Sequence, residues 1–204
     1  MKREEKNQQT RRRIMEHALA EFGERGYAAS SVNTICAAQD ISKGIIYHYF
    51  HTKDDLFLAC VGECFQRLTE YLAQKMQTLD GSVKDGLEEY FTARMSFFAE
   101  NPVYQKIFCE AIISPPPHLR AQIQECKKDF DALNVQILQQ LLSAVELRPQ
   151  ITPAEVIDTF RQFQDFFNAK YQAADLTKEE FEMHERSCRT ALDILLYGVL
   201  NRKE

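Results

Sequence analysis

The sequence is poor in glycine, with seven in 204 residues, and it has no alternating runs of Val, Ile and Thr. Without that two-residue alternation there is no signal for half-buried strands, and the fold expected is all-α. No apolar run approaches the roughly 20 residues needed to cross a bilayer. The start, Met1 to Thr10, lacks the apolar core of a signal peptide, so the expectation is a cytoplasmic protein with no membrane partner. The six cysteines (36, 60, 64, 109, 126, 188) show no disulfide-framework spacing. Cys60 and Cys64 lie four apart, but no second pair of ligands is near them. The reading is small buried side chains and no metal site. Missing too are H-E-x-x-H, a Walker loop, a nucleophile elbow and a paired Glu-x-x-His, and the five histidines (17, 48, 51, 118, 184) are scattered. Neither an enzyme nor a cofactor is expected.

What is present is ordinary for a folded chain, with 45% hydrophobic and 27% charged residues. The net charge of -5 argues at first against a nucleic-acid partner, but its distribution reverses that. Residues 1–53 hold nine Lys or Arg against six Asp or Glu, whereas the remainder holds sixteen against twenty-four. A mildly basic head on an acidic body fits a protein that touches DNA at one end.

Periodicity and punctuation divide the chain into about nine helices. Ile14, Ala18 and Phe22 form a stripe on a first helix over about 7–25, which Gly26 stops. Ser30 and Ser31 cap a second helix over about 32–39, Gln39 to Ile41 make a turn, and Ser42 caps a third over about 43–50. A fourth helix starts at Thr52, with a carboxylate at its third position, and runs to about 79, where Asp80-Gly81 breaks it. Ser82 caps a helix over about 83–100, and Asn101-Pro102 opens a short one that ends before Pro115-Pro116-Pro117. One long helix is expected over about 118–146. Two capping boxes, at 152–155 and 177–180, start the last two helices, over about 153–173 and 178–202. The expected domains are a helix-turn-helix head, 1–51, and a helical body, 52–204.

The most informative stretch is Ile41 to Phe50, I-S-K-G-I-I-Y-H-Y-F. Ile46 and Phe50 are apolar anchors four apart. Between them stand Lys43, Gly44, Tyr47, His48 and Tyr49. A helix opening with Ser-Lys-Gly lets a backbone and a cation approach a polyanion closely. The tyrosines and the histidine can donate to phosphate oxygens or lie against bases. With the preceding helix and turn, this makes a DNA-reading helix-turn-helix.

The last two helices carry apolar residues on more than one face. The first has Phe160, Phe163, Phe166 and Phe167, and the second has Phe181, Cys188, Leu192, Leu195 and Val199. A monomer buries one stripe per helix, so a second stripe points to a partner. Two helices from each of two chains would form a twofold-symmetric four-helix bundle. Phe160, Phe166, Phe181, Cys188, Leu192, Leu195 and Val199 are the residues expected at that interface.

Residues of about 10–57 resemble the DNA-binding head of the TetR (tetracycline-repressor-like) transcriptional regulators. The resemblance rests on Phe22, Gly26-Tyr27, Ser30-Ser31-Val32, Ile35, Ala37-Ala38, Ile41 to Gly44, Ile46 to Phe50 and Lys53 to Leu56. Asp40 stands where a glycine is usual in the turn, and Asp tolerates the left-handed conformation better than most residues. The resemblance implies an all-α homodimer whose head binds a pseudo-palindromic double-stranded operator. It also implies that a small-molecule effector releases the DNA. Ser31 and Thr34 would contact phosphate from the second helix. Ser42, Lys43, Gly44 and Ile45 would lie at the groove end of the third, Tyr47, His48 and Tyr49 would hold backbone or bases, and Lys53 would hold phosphate.

The resemblance further implies that part of the body's aromatic content lines an effector cavity. Phe65, Tyr104, Phe108, Phe130, Phe163 and Phe167 are candidates, with two carboxylates set among apolar residues, Glu110 and Asp165. The alternative is a DNA-binding regulator without a small-molecule ligand, controlled by a partner protein or by thiol oxidation.

Overall fold

A computed structural model describes residues 2–37, 42–77, 82–171 and 177–199. Their regular structure is helical. In chain order it comprises α1 (Lys2–Ala29), α2 (Val32–Ala37), α3 (Lys43–Tyr49), α4 (Lys53–Lys75), α5 (Val83–Glu100) and α6 (Pro102–Ile112). A 3-10 turn (Pro117–Leu119) then precedes α7 (Arg120–Cys126), α8 (Lys128–Ser143), α9 (Pro153–Lys170) and α10 (Lys178–Val199). The all-α expectation holds, with ten α-helices among the described residues.

Most helix starts follow directly from local chemistry. Four open on the same reciprocal box, in which a hydroxyl accepts the third residue's amide and that residue's carboxylate accepts the cap's own amide. The pairs are Thr52 with Asp55, Ser82 with Asp85, Thr152 with Glu155 and Thr177 with Glu180. The Asp85 carboxyl is held below its ordinary range by Ser82's hydroxyl and then its amide, and the Glu155 carboxyl by Thr152's amide and then its hydroxyl. At the other end of α1, Gly26 takes φ 71 and kinks the chain before Ala29. Only glycine adopts that left-handed conformation without strain, which is why the first helix turns there.

The single helix expected over 118–146 is not found. Lys127, with φ -92 and ψ 0, interrupts it between α7 and α8. The molecule forms two compact units, residues 1–67 with 98–127 and residues 68–97 with 128–204. The break therefore falls where the chain passes from one unit to the other. No glycine or proline marks the spot, so local propensity does not foretell the break. The turn at 39–41 and the break at 80–81 expected from sequence lie outside the described residues.

In the first unit α1 packs on α6. Ile14, Phe22, Ile35, Ile46, Phe57, Phe65 and Phe108 are each at most 1% exposed. The Phe22 and Phe57 rings meet edge to face at 5.2 Å, the arrangement that ring quadrupoles favour. In the second unit α9 packs on α10, with α8 against α9. Val156, Phe181, Leu192 and Leu196 are buried there.

A buried charge cluster joins α5 to α10. Arg94 and Glu185, each 4% exposed, pair at 2.9 Å. His184 sits beside them, 3.3 Å from Glu185 and 2.9 Å from Asn168 on α9. Arg94 also lies over the Phe130 ring, 5.9 Å from its centroid.

Candidate nucleic-acid interface

The surface begins with a self-capping pair. Ser31's hydroxyl accepts the Thr34 amide at 3.1 Å, and Thr34's hydroxyl accepts the Ser31 amide at 3.2 Å, fixing the start of α2. Thr34's hydroxyl also lies 2.6 Å from Glu21 Oε1 on α1. Both side chains are half-buried, so the pair orients α2 before any partner arrives.

α3 is anchored by its apolar spacing. Ile46 is fully buried and Phe50 is 5% exposed, while Ser42, Lys43, Gly44, Ile45, Tyr47 and His48 all face solvent. Ser42 caps the helix by accepting the Ile45 amide at 3.4 Å. Ile45 and Tyr47 are 42% and 39% exposed, which is unusual for large apolar side chains in a seven-residue helix with an otherwise satisfied core. Lys43 Nζ stands 5.7 Å from the Tyr47 ring centroid, so cation and ring are held side by side. A Cβ on Gly44 would meet nothing within 4 Å. Nothing inside the fold requires glycine there, whereas close approach of another backbone would.

Two more of the expected DNA contacts have internal partners. Tyr49 is half-buried, and its hydroxyl donates to the Asn7 carbonyl at 3.3 Å, bracing the start of α1. Lys53 donates to the Ser30 carbonyl at 2.8 Å and lies over the Tyr27 ring at 4.2 Å. An ammonium has three donors, so Lys53 keeps capacity for a phosphate while its position is fixed by the fold. Sequence reading left out Arg11, whose guanidinium lies 5.4 Å from the Phe50 centroid and so beside the end of α3.

Tyr27 ties this surface together. Its amide donates to both oxygens of Glu110, at 2.7 and 2.9 Å. Its hydroxyl donates to Asp54 at the start of α4 and lies 3.2 Å from His118 Nε2. Burial, and then the Asp54 carboxylate, push the Tyr27 hydroxyl up to about 12. Burial raises the Glu110 carboxyl above its usual range, against the lowering pull of the Tyr27 amide and Lys53.

The expected effector residues divide between the two units. In the first, Phe65 and Phe98 both pack on Phe108, at 5.8 and 4.9 Å between centroids, and Tyr104's hydroxyl donates to Glu63 at 2.7 Å. Glu110, expected as a cavity carboxylate, accepts the Tyr27 amide with both its oxygens. In the second unit Phe130 is buried beneath Arg94. Asp165 is exposed on α9. Phe163 and Phe167 line a surface groove of about 670 Å³ with Ala191, Ile194, Leu195 and Gly198 of α10.

The residues expected at the dimer interface separate as well. Phe166 is 63% exposed, and Phe160 and Leu195 are half-buried. Phe181, Cys188 and Leu192 are instead at most 3% exposed, so their own chain covers them and they form the inward stripe of α10. The outward stripe of α10 is Met183, Ile194 and Tyr197, none of them among the residues expected at the interface. The Val199 side chain lies outside the described residues.

A capped second helix and a third helix that is buried on one side and cationic and aromatic on the other define a helix-turn-helix DNA-binding head. Residues 14–60 match the bacterial regulatory proteins of the tetR family, and residues 81–199 match the tetracyclin repressor-like C-terminal domain. The chain belongs to the TetR family of transcriptional regulators. It is similar to the regulator UidR of Escherichia coli K12, 24% identical over 174 residues, which cover 84% of this chain and 86% of that one. It also resembles the repressor AcnR of Corynebacterium glutamicum, 32% identical over 78 residues, 37% of this chain and 42% of AcnR. The chain thus spans less than half the length of AcnR. In structure it resembles FadR of Bacillus subtilis, solved with stearoyl-CoA, at a TM-score of 0.68 and 18% identity, covering 91% of this chain and 97% of that one. SmeT, the repressor of the Stenotrophomonas maltophilia efflux pump SmeDEF, gives 0.66 and 17%, covering 95% and 91%. These two likenesses show the shared fold. The family and the curated relatives are transcription regulators and not enzymes. No described helix is long and apolar enough to cross a membrane.

Proposed function

We propose that this protein is a homodimeric, cytoplasmic repressor whose α3 reads a pseudo-palindromic operator. A small, largely hydrophobic effector releases it. The observation that carries the DNA reading is the division of α3, with Ile46 and Phe50 buried and Lys43, Gly44, Ile45 and Tyr47 exposed. Residues 1–51 act as the operator-binding part and 52–204 as the effector-binding and dimerising part. Phosphate contacts from Ser31, Thr34 and Lys53 set affinity and its salt dependence, and the Tyr47, His48 and Tyr49 region adds contacts to bases and backbone.

The dimer reading is supported by Phe166, Ile194, Met183 and Tyr197, which place large apolar side chains in solvent on α9 and α10. Joining two heads multiplies affinity through effective concentration, and it sets two half-sites about 34–36 Å apart or a multiple of that. An effector acts by binding better to a form whose heads miss the grooves. Of the alternative controls, thiol oxidation is disfavoured at Cys60, Cys64 and Cys188, whereas Cys36 and Cys126 are only half-buried. Cys60 and Cys64 are buried, and burial pushes both thiols far up. Burial also raises the Cys188 thiol, to about 12, and a buried protonated thiol is inert.

The test is selection of bound duplexes from a random pool at moderate salt. Enrichment of a two-half-site palindrome supports the reading. A folded dimer that enriches nothing counts against it.

A further inference from the structure

We propose that Glu110 of α6 is a positioning residue for operator binding, its carboxylate holding the chain reversal that aims α2 and Lys53. The proposal rests on the head being the operator-binding surface, and it adds a residue far from that surface in sequence.

The geometry runs in steps, all within the first unit. Gly26 takes a left-handed conformation, and this turns the next amide, that of Tyr27, away from the axis of α1. An amide leaving a helix there has no carbonyl partner in the helix and must find one elsewhere. Both carboxylate oxygens of Glu110 supply it, at 2.7 and 2.9 Å. A Cβ at position 26 would stand 3.4 Å from Glu110 Oε1, an ordinary contact, so it is the positive φ that calls for glycine there. A charged acceptor makes a shorter and stronger bond than a neutral one.

The same turn then fixes the DNA-facing residues. Ser30 bonds back to the Gly26 carbonyl through both its amide and its hydroxyl, at 3.2 and 2.6 Å. Ser31, the next residue, caps α2 together with Thr34. Lys53 is held by the Ser30 carbonyl and by the face of the Tyr27 ring. Three expected phosphate contacts therefore depend on where Gly26 and Tyr27 sit, and α6 holds that place across 83 residues of sequence.

The experiment uses the full chain and an operator duplex taken from the pool selection. Four proteins are compared, namely wild type, Glu110→Ala, Glu110→Gln and Lys43→Ala, each checked for helical content and dimer mass. Glu110→Ala is expected to weaken binding about tenfold and to flatten the dependence of affinity on salt by about one phosphate contact per head. Glu110→Gln keeps one acceptor for the one amide and is expected to recover most of the affinity and the slope. A general loss of stability would leave the slope unchanged and would not be rescued by the amide.

Wild-type affinity and slope in folded Glu110→Ala, with Lys43→Ala weakened, overturns the proposal and leaves the DNA reading standing. Wild-type binding by both variants overturns the groove assignment and the proposal with it. If Glu110→Ala does not fold, the Tyr27 amide of the wild type decides. A strongly deshielded, exchange-protected proton supports the clamp, and an ordinary, fast-exchanging one overturns it.

Discussion

The exposed side of α3 and the exposed side of α9 and α10 are both richer in large side chains than a solvated surface needs, but they differ in kind. On α3, Ile45 and Tyr47 alternate with a lysine, a glycine and a histidine, and the cation is held against a ring. On α9 and α10 the exposed set is Phe163, Phe166, Met183, Ile194 and Tyr197, of which Phe163 and Ile194 line a mostly apolar groove that Arg186, Ser187 and Thr190 also border. A polyanion rewards a cation beside a close-packed backbone, and another protein rewards continuous apolar area. Exposure alone does not identify a partner. The chemistry interleaved with the exposed apolar residues does.

That contrast can be broken from beneath α10. Arg94→Met leaves Glu185 buried without its guanidinium, and a loss of about 3–5 kcal/mol is expected in urea unfolding. Adding Glu185→Leu should restore most of it, since two apolar groups replace two charges. A double variant as unstable as the single one would show that the pair is not the cause. Next in size, Phe166→Asp or Ile194→Asp should weaken self-association by about 2 kcal/mol or more, as removal of an interface anchor does. Sedimentation equilibrium measures this, and an unchanged dimer would sink the protein-facing assignment of α9 and α10.

On the head, Lys43→Ala and Tyr47→Ala should each reduce operator affinity by about 1–3 kcal/mol while the dimer mass stays the same. Loss of the dimer with retained DNA affinity would invert the comparison. A smaller effect concerns pH. The Asp85 and Glu155 carboxyls are held below their ordinary values of 3.8 and 4.5 by their caps. Their stabilisation is present at neutral pH and is lost as pH falls from those values through the lowered ones. Ser82→Ala combined with Thr152→Ala should therefore narrow the gap in urea stability between pH 7 and pH 3. A gap of unchanged width would place the acid sensitivity elsewhere. The smallest change expected is at Arg12, exposed and paired with Glu16 at 3.1 Å, where substitution by Ala should shift stability by a few tenths of a kcal/mol at most.

Much of this molecule is legible in short windows of sequence. Ser42 as a cap, Ile46 and Phe50 as anchors, Gly26 as the stop of the first helix and the boxes at 152–155 and 177–180 all depend on neighbours within about four residues. What escaped reading depends on distant ones. Glu110 looks like a carboxylate stranded in an apolar run until Tyr27 is placed beside it, 83 residues away. Arg94 and Glu185 pair across 91 residues. The interruption at Lys127 has no breaker in its sequence, and the burial of Phe181, Cys188 and Leu192 depends on which of two apolar faces the rest of the chain covers. The family resemblance pointed to Ser42 to Ile45, Tyr47 and His48, which the fold leaves exposed, whereas the effector candidates, inferred from composition and analogy, divided between two units.

The four reciprocal boxes carry a consequence for the order of assembly. Each closes a loop of four residues, so the starts of α4, α5, α9 and α10 can form in a chain that has made no other contact. The Glu110 to Tyr27 and Arg94 to Glu185 joints close loops about twenty times longer and must wait for the helices that carry them. Folding of this chain is accordingly a matter of early rods and late joints, and substitutions at the joints should act on the rate of unfolding more than on the rate at which helix first grows.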